Sequence, residues 1–205
     1  MKKQKKTNRI RHSPSALPVT ILVVGFVGLL GFFIYRIYAD VKAQPSMAKA
    51  DEAGCTHSAV SVQIPGMETV ACKSANHVTE GRRVQYESDP PLAGEHWDSW
   101  ISPGFYRADQ PKEKLVHSLE HGHVVIYYDE ERLSAREVDG LRKLTAQHTG
   151  QWDGVVAVPR KDPTNALILT AWEHALPLAQ WDQARIDSFV DAFRGRGPEN
   201  PVRPL

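Results

Sequence analysis

The sequence predicts an α+β domain, a mixed β-sheet with two packed helices, preceded by one N-terminal transmembrane helix. Three observations carry this reading. No charged side chain occurs from Ser13 to Tyr35, although the chain as a whole is 24% charged. The stretch "HVVIYYD" (123–129) is a nearly unbroken apolar β run, as expected of a strand buried on both faces. Two apolar stripes at helical spacing, one through Val138, Leu141 and Leu144 and one through Ile186, Phe189, Val190 and Phe193, accompany capping residues.

Residues 1–15 form a basic tail, with six of the 25 Lys and Arg residues in the first twelve positions and no acid among them. Residues 16–38 follow as the transmembrane helix. Their apolar length spans a hydrocarbon core of about 30 Å at about 1.5 Å per residue. The basic tail stays cytoplasmic by the positive-inside bias, which places the later residues outside a bacterial inner or cytoplasmic membrane as a single-pass protein. A cleaved signal peptide fits less well, because its apolar region is usually about 7–15 residues and ends at a small-residue site. "RIYADVKAQPS" offers no such site. Beyond the tail, 19 basic side chains face 24 acidic ones and are interspersed with them, so nucleic acid is excluded as a partner.

Residues 39–54 are small, polar and aperiodic, which suits a tether. The exported domain is expected over 55–195. Cys55 and Cys72 are its two cysteines, and an oxidising compartment permits a disulfide. Two thiolate metal ligands are the alternative. "AVSVQI" and "RRVQYE" alternate like short strands, with a turn at "PGME" between the cysteines. "SDPPLAGEHWDSWISPGFY" reads as an ordered loop, since Trp97, Trp100, Phe105 and Tyr106 have apolar area to bury. After the strand at 123–129, Ser134 and Glu137 form a capping-box pattern for a helix lasting to about His148. "GVVAVPR" and "ALILTAW" are two further strands, and Asp182 caps the last helix. Residues 196–205 are expected as a flexible tail.

The chemistry concentrates in "HSLEHGH" (117–123). His117 and His121 are four apart and share one face of a helical turn, which Gly122 can end in a left-handed conformation. Two imidazoles supply half of a tetrahedral metal site. His77, His96 and His123 are further candidate ligands, and Glu120 either ligates or orients an imidazole. His57, Met67, Glu173 and His174 are weaker candidates, the last two expected at the solvent end of a strand. The same stretch matches H-x-x-E-H, an inverted zincin signature in which Glu120 would be a general base. A structural or partner-binding role without metal is the third reading. Walker, dinucleotide and nucleophile-elbow motifs are absent from the sequence.

"HVTEGRRVQYESDPPLAGEHW", "GFY", "LVHSLEHGHVVIYYD", "VVAVPR" and "ALILTAWE" together resemble the bacterial membrane-anchored proteins of domain-of-unknown-function family 3105, over about residues 76–193. By position the family pattern falls on His77, Pro90, Pro91, Gly94, His96, His117, Glu120, His121 and Gly122. The resemblance implies that these residues act together, and it brings no assigned activity. This chain departs from the pattern with Leu92-Ala93 for Thr-Ser, Glu95 for proline and His123 for glycine. The reading of the sequence is therefore a membrane-anchored, exported domain with a histidine-rich site for a transition metal, zinc or copper. The proposed ligands are His77, His96, His117 and His121, with Glu120 behind them.

Overall fold

The structure is a computed structural model that describes residues 55–57 and 60–204. The expected transmembrane helix and tether lie outside the described residues. Among the described residues no helix is long and apolar enough to cross a membrane.

The elements run β1 (Glu68–Thr69), β2 (His77–Val78), β3 (His96–Trp97), β4 (Gly104–Phe105), α1 (Lys112–Glu120), β5 (Val124–Tyr128), α2 (Ala135–Gln147), β6 (Val155–Pro159), β7 (Leu167–Ala171), β8 (His174–Leu178) and α3 (Gln183–Phe193). Six strands form a mixed sheet in the order β1-β8-β7-β5-β6-β4, and β2 and β3 form a separate parallel pair. β5 is central, parallel to β6 and antiparallel to β7, and all five of its residues are buried.

Alternation along β5 sends its side chains into two cores. Val124, Ile126 and Tyr128 join Val138 and Leu141 of α2 and Ile186, Phe189, Val190 and Phe193 of α3. Val125 and Tyr127 join Leu115, Val116 and Leu119 of α1, together with Cys55, Cys72 and Trp172. The sheet is thus covered by α2 and α3 on one face and by α1 with the cystine segment on the other. Burying Ile186 and Phe189 completely contributes about 1.5–3 kcal/mol each. The helix starts follow the sequence reading. Ser134 Oγ accepts from Glu137 N at 3.3 Å while Glu137 Oε2 accepts from Ser134 N at 2.7 Å, and Asp182 Oδ1 accepts from Arg185 N.

Several expectations are corrected. The histidine-bearing turn is a full helix, α1, so three helices pack on the sheet among the described residues. The described part of "AVSVQI", residues 60–64, and "RRVQYE" are not strands. Val60 and Ile64 enter the core singly while Val62 faces solvent, and Val84 N donates to the Glu113 carboxylate instead of a neighbouring strand. The additional strand β8 contains Pro177 opposite Ile168 of β7. β1 pairs with β8 only at His174 and Ala175, so Pro177 lies beyond that ladder, where a missing N–H is tolerated.

Glu173 and His174 are buried at the β7–β8 turn rather than exposed. The Glu173 carboxylate accepts from Cys72 N at 2.8 Å and meets His57 Nδ1 at 2.7 Å. Cys55 and Cys72 form a disulfide beside it, which removes them as metal ligands. Replacing both cysteines with serine is expected to lower unfolding stability by about 3 kcal/mol, read as a lower urea midpoint. An unchanged midpoint under oxidising conditions would remove the bridge from the account of stability.

Residues 196–204, expected as a tail, fold back over the end of α1. Gly195 N donates to Gly122 O at 2.8 Å, Glu199 N to Glu120 O at 3.3 Å, and Val202 N to Gly195 O at 2.9 Å. Arg203 adds an ion pair to Asp191 at 2.7 Å.

Candidate metal centre

Three local devices bring the histidines together. On α1, His117 and His121 stand one turn apart with ring centroids 4.5 Å from each other. The parallel pair β2–β3 sets His77 opposite His96 in register, with centroids 4.9 Å apart. Ser118 Oγ accepts from Ile101 N at 3.0 Å and so fastens the loop after β3 to α1. The result is a triangle of imidazoles: His77 to His117 is 4.9 Å and His96 to His117 is 4.8 Å.

Hydrogen bonds fix the orientation of each ring. His117 Nδ1 lies 2.8 Å from the Trp97 carbonyl, and His96 Nδ1 lies 2.8 Å from the Gly94 carbonyl. A carbonyl oxygen only accepts, so each Nδ1 carries a proton, which leaves Nε2 as the nitrogen each ring can offer to a cation. His96 is fully buried, and its Nε2 has no hydrogen-bond partner in the protein. It sits 3.0 Å from Glu120 Oε2. A nitrogen facing a carboxylate at this distance needs a cation between them, a proton in an ion pair or a metal ion, and an unsatisfied buried polar group costs about 1–3 kcal/mol. A cation bound by both atoms removes that cost.

Among the described residues, donor atoms fall into two groups, each with all members within 4.8 Å of one another. One is His77, His96, His117 and Glu120, and the other is His117, His121 and Glu199. His117 belongs to both. His123 belongs to neither, against its inclusion among the expected ligands. After the left-handed Gly122 (φ +89°) the chain turns into β5, and His123 Nε2 donates to the Gln151 carbonyl at 2.6 Å, fastening the strand to the loop before β6. Its ring stays 6.1 Å from that of His121. Glu199 was not singled out from the sequence. Its Oε2 lies 3.0 Å from His121 Nε2, and a glutamate in "RGPENP" carries no local signal of a ligand.

Burial dominates the electrostatics. It pushes His117 down to about 4, helped by His96, and His121 down to about 3, helped by His117 and His123. Both rings are therefore neutral and competent as ligands at neutral pH. Burial, with the nearby Glu120 carboxylate, raises Glu199. Trp100 and Trp152 wall the His121 side, with centroids 4.6 and 4.2 Å from that ring. A cavity of about 1110 Å³ opens elsewhere, at the N-terminal end of α1 around Lys112, Leu115, Tyr127 and Arg160, and none of the donors lines it.

A family model described as "Protein of unknown function (DUF3105)" matches residues 77–203, a span that includes every donor named above. No curated protein and no solved structure matches the chain.

Proposed function

The chain belongs to that family of unknown function, and from the donor geometry we propose that its domain binds one zinc ion through His77, His96, His117 and Glu120 on the outer side of a membrane. The observation that carries the reading is the convergence of three imidazoles and the Glu120 carboxylate, with the fully buried His96 Nε2 3.0 Å from Glu120 Oε2. Three imidazole nitrogens and one carboxylate oxygen suit Zn²⁺ in a four-coordinate site at about 2.0–2.2 Å. The oxygen donor disfavours Cu(I), which prefers soft sulfur. The outward location rests on the uncharged segment at 13–35 behind a basic leader. The disulfide agrees with it, since such bridges persist in oxidising compartments.

The hydrolase reading of H-x-x-E-H asks for Glu120 to activate a water on an ion held by His117 and His121. Glu120 groups with His77, His96 and His117 but not with His121, and it does not line the described cavity. Metal content of the full-length chain, purified without a histidine tag and titrated with Zn²⁺ against a chromophoric chelator, tests the proposal. One ion per chain supports it. Absence of binding at micromolar supply rejects it.

The depressed histidines add a pH prediction for the chelator-treated protein. In the unfolded chain the rings take up protons as pH falls through the ordinary 6.5, whereas in the fold His117 and His121 resist until about 4 and about 3. The unfolded state binds more protons in that window, so stability is fully present above about 6.5 and is lost as pH falls toward 4. Denaturant midpoints measured from pH 7.5 down to 4 should decline. A flat profile would mean that the rings are already solvated.

A further inference from the structure

Resting on the zinc reading, we propose that His117, His121 and Glu199 form a second position for the same ion, so that the centre is a two-position relay rather than a single fixed site. His117 is the common member of the two donor groups. Its Nδ1 proton is committed to the Trp97 carbonyl, which leaves one lone pair, on Nε2. One lone pair serves one ion. The two groups are therefore alternatives, and an ion can pass from one to the other without leaving His117.

The exchange balances. In the outer position the ion is bound by His117, His121 and the Glu199 carboxylate; in the inner one it is bound by His117, His96, His77 and the Glu120 carboxylate. Passage breaks the bonds to His121, Glu199 and the solvent water that completes the three-donor outer position, and forms those to His96, His77 and Glu120. Each position supplies one carboxylate, so the same net charge surrounds the ion at both ends. The donor at each end is open to solvent, with Glu199 43% and His77 46% exposed, whereas the imidazoles of His96, His117 and His121 are buried. An ion can enter at one end and leave at the other. That arrangement fits a protein that hands on a metal ion rather than one that stores it.

Glu199 is delivered by the C-terminal segment, and two glycines let that segment come close enough. A Cβ on Gly197 would lie 2.2 Å from Gly122 N and 2.3 Å from Glu120 O, distances that no side chain permits. Glu199 N then bonds the Glu120 carbonyl, which ties together the chain segments that carry the two carboxylates, each grouped with His117.

Stopped-flow Zn²⁺ loading of the full-length chain, with Glu199→Gln as the variant, tests the relay. Loading should slow about tenfold while equilibrium affinity changes by no more than about twofold. Equal loading rates would overturn it. In a His77→Ala/His96→Ala background one ion should still bind, more weakly, and Glu199→Gln should abolish that residual binding. Residual binding indifferent to Glu199, or two ions bound by the unmodified chain, would also overturn the relay. Thermal unfolding of Glu199→Gln alone checks that the fold is intact, and its loading rate decides the matter if the double variant does not fold. Failure of the zinc reading itself looks different, because the unmodified chain would then bind no ion.

Discussion

His117→Ala is expected to abolish tight zinc binding, lowering affinity by more than about a hundredfold, beyond the 10–100-fold typical of losing a group that merely supports a ligand. The size of the effect follows from position. His117 is the one residue common to both donor groups, so its loss cuts one to three donors and the other to two, and neither keeps a full set. Its Nδ1–H bond to Trp97 O also holds the β3 end of the histidine loop against α1. His123→Ala is the matched control. It removes a buried imidazole two residues beyond His121 whose bond goes to Gln151, outside both groups. Zinc affinity measured by chelator competition should collapse in the first variant and persist in the second. Equal losses in both would place the effect in folding, and no loss in the first would remove His117 from the centre.

Gly122→Ala is expected to cost about 3 kcal/mol, combining left-handed backbone strain with overpacking. Gly122 has φ +89°, and an added Cβ would sit 2.7 Å from Gly197 N, 3.0 Å from Trp152 O and 3.1 Å from Arg196 N. Those neighbours are backbone and cannot rotate away. The chain must either unwind the end of α1 or release the C-terminal segment, and each outcome separates Glu199 from His121. Thermal unfolding should shift down by roughly 10 °C for a domain of this size. A melting temperature within about 2 °C of the unmodified protein would show that the junction is slack.

Much of this architecture is legible in sequence because its signals are local. The capping box at Ser134 and Glu137, the stripe through Ile186, Phe189, Val190 and Phe193, and the buried run of β5 each lie within a few residues, and each is found where the pattern puts it. The same holds for the i, i+4 pair on α1. What was not legible depends on distant partners. "RRVQYE" alternates like a strand but has no ladder to join, because Val84 N is taken by Glu113. β8 carries a proline that argues against a strand until the shortness of β1 is known.

The donor set divides along the same line. The grouping of His77 with His96 depends on a parallel pairing across 19 positions, and Glu199 reaches His121 only through the close approach of Gly122 and Gly197. His123 lies outside both donor groups for a local reason that sequence spacing hides. The left-handed Gly122 ends the helix, and the next residue bonds the Gln151 carbonyl of a different loop.

These features join into one physical account. A central strand buried on both faces supports α1, and α1 carries two neutral imidazoles. A short parallel pair brings two more, and a returning segment adds a carboxylate at the rim.

The most direct test of the zinc centre is X-ray absorption at the zinc edge of the loaded full-length chain. The account predicts only nitrogen and oxygen neighbours at about 2.0–2.2 Å, with the multiple-scattering pattern of three imidazoles, diminished to the two of His117 and His121 in His77→Ala/His96→Ala. Sulfur neighbours near 2.3 Å, or an imidazole pattern unchanged in that variant, would contradict it.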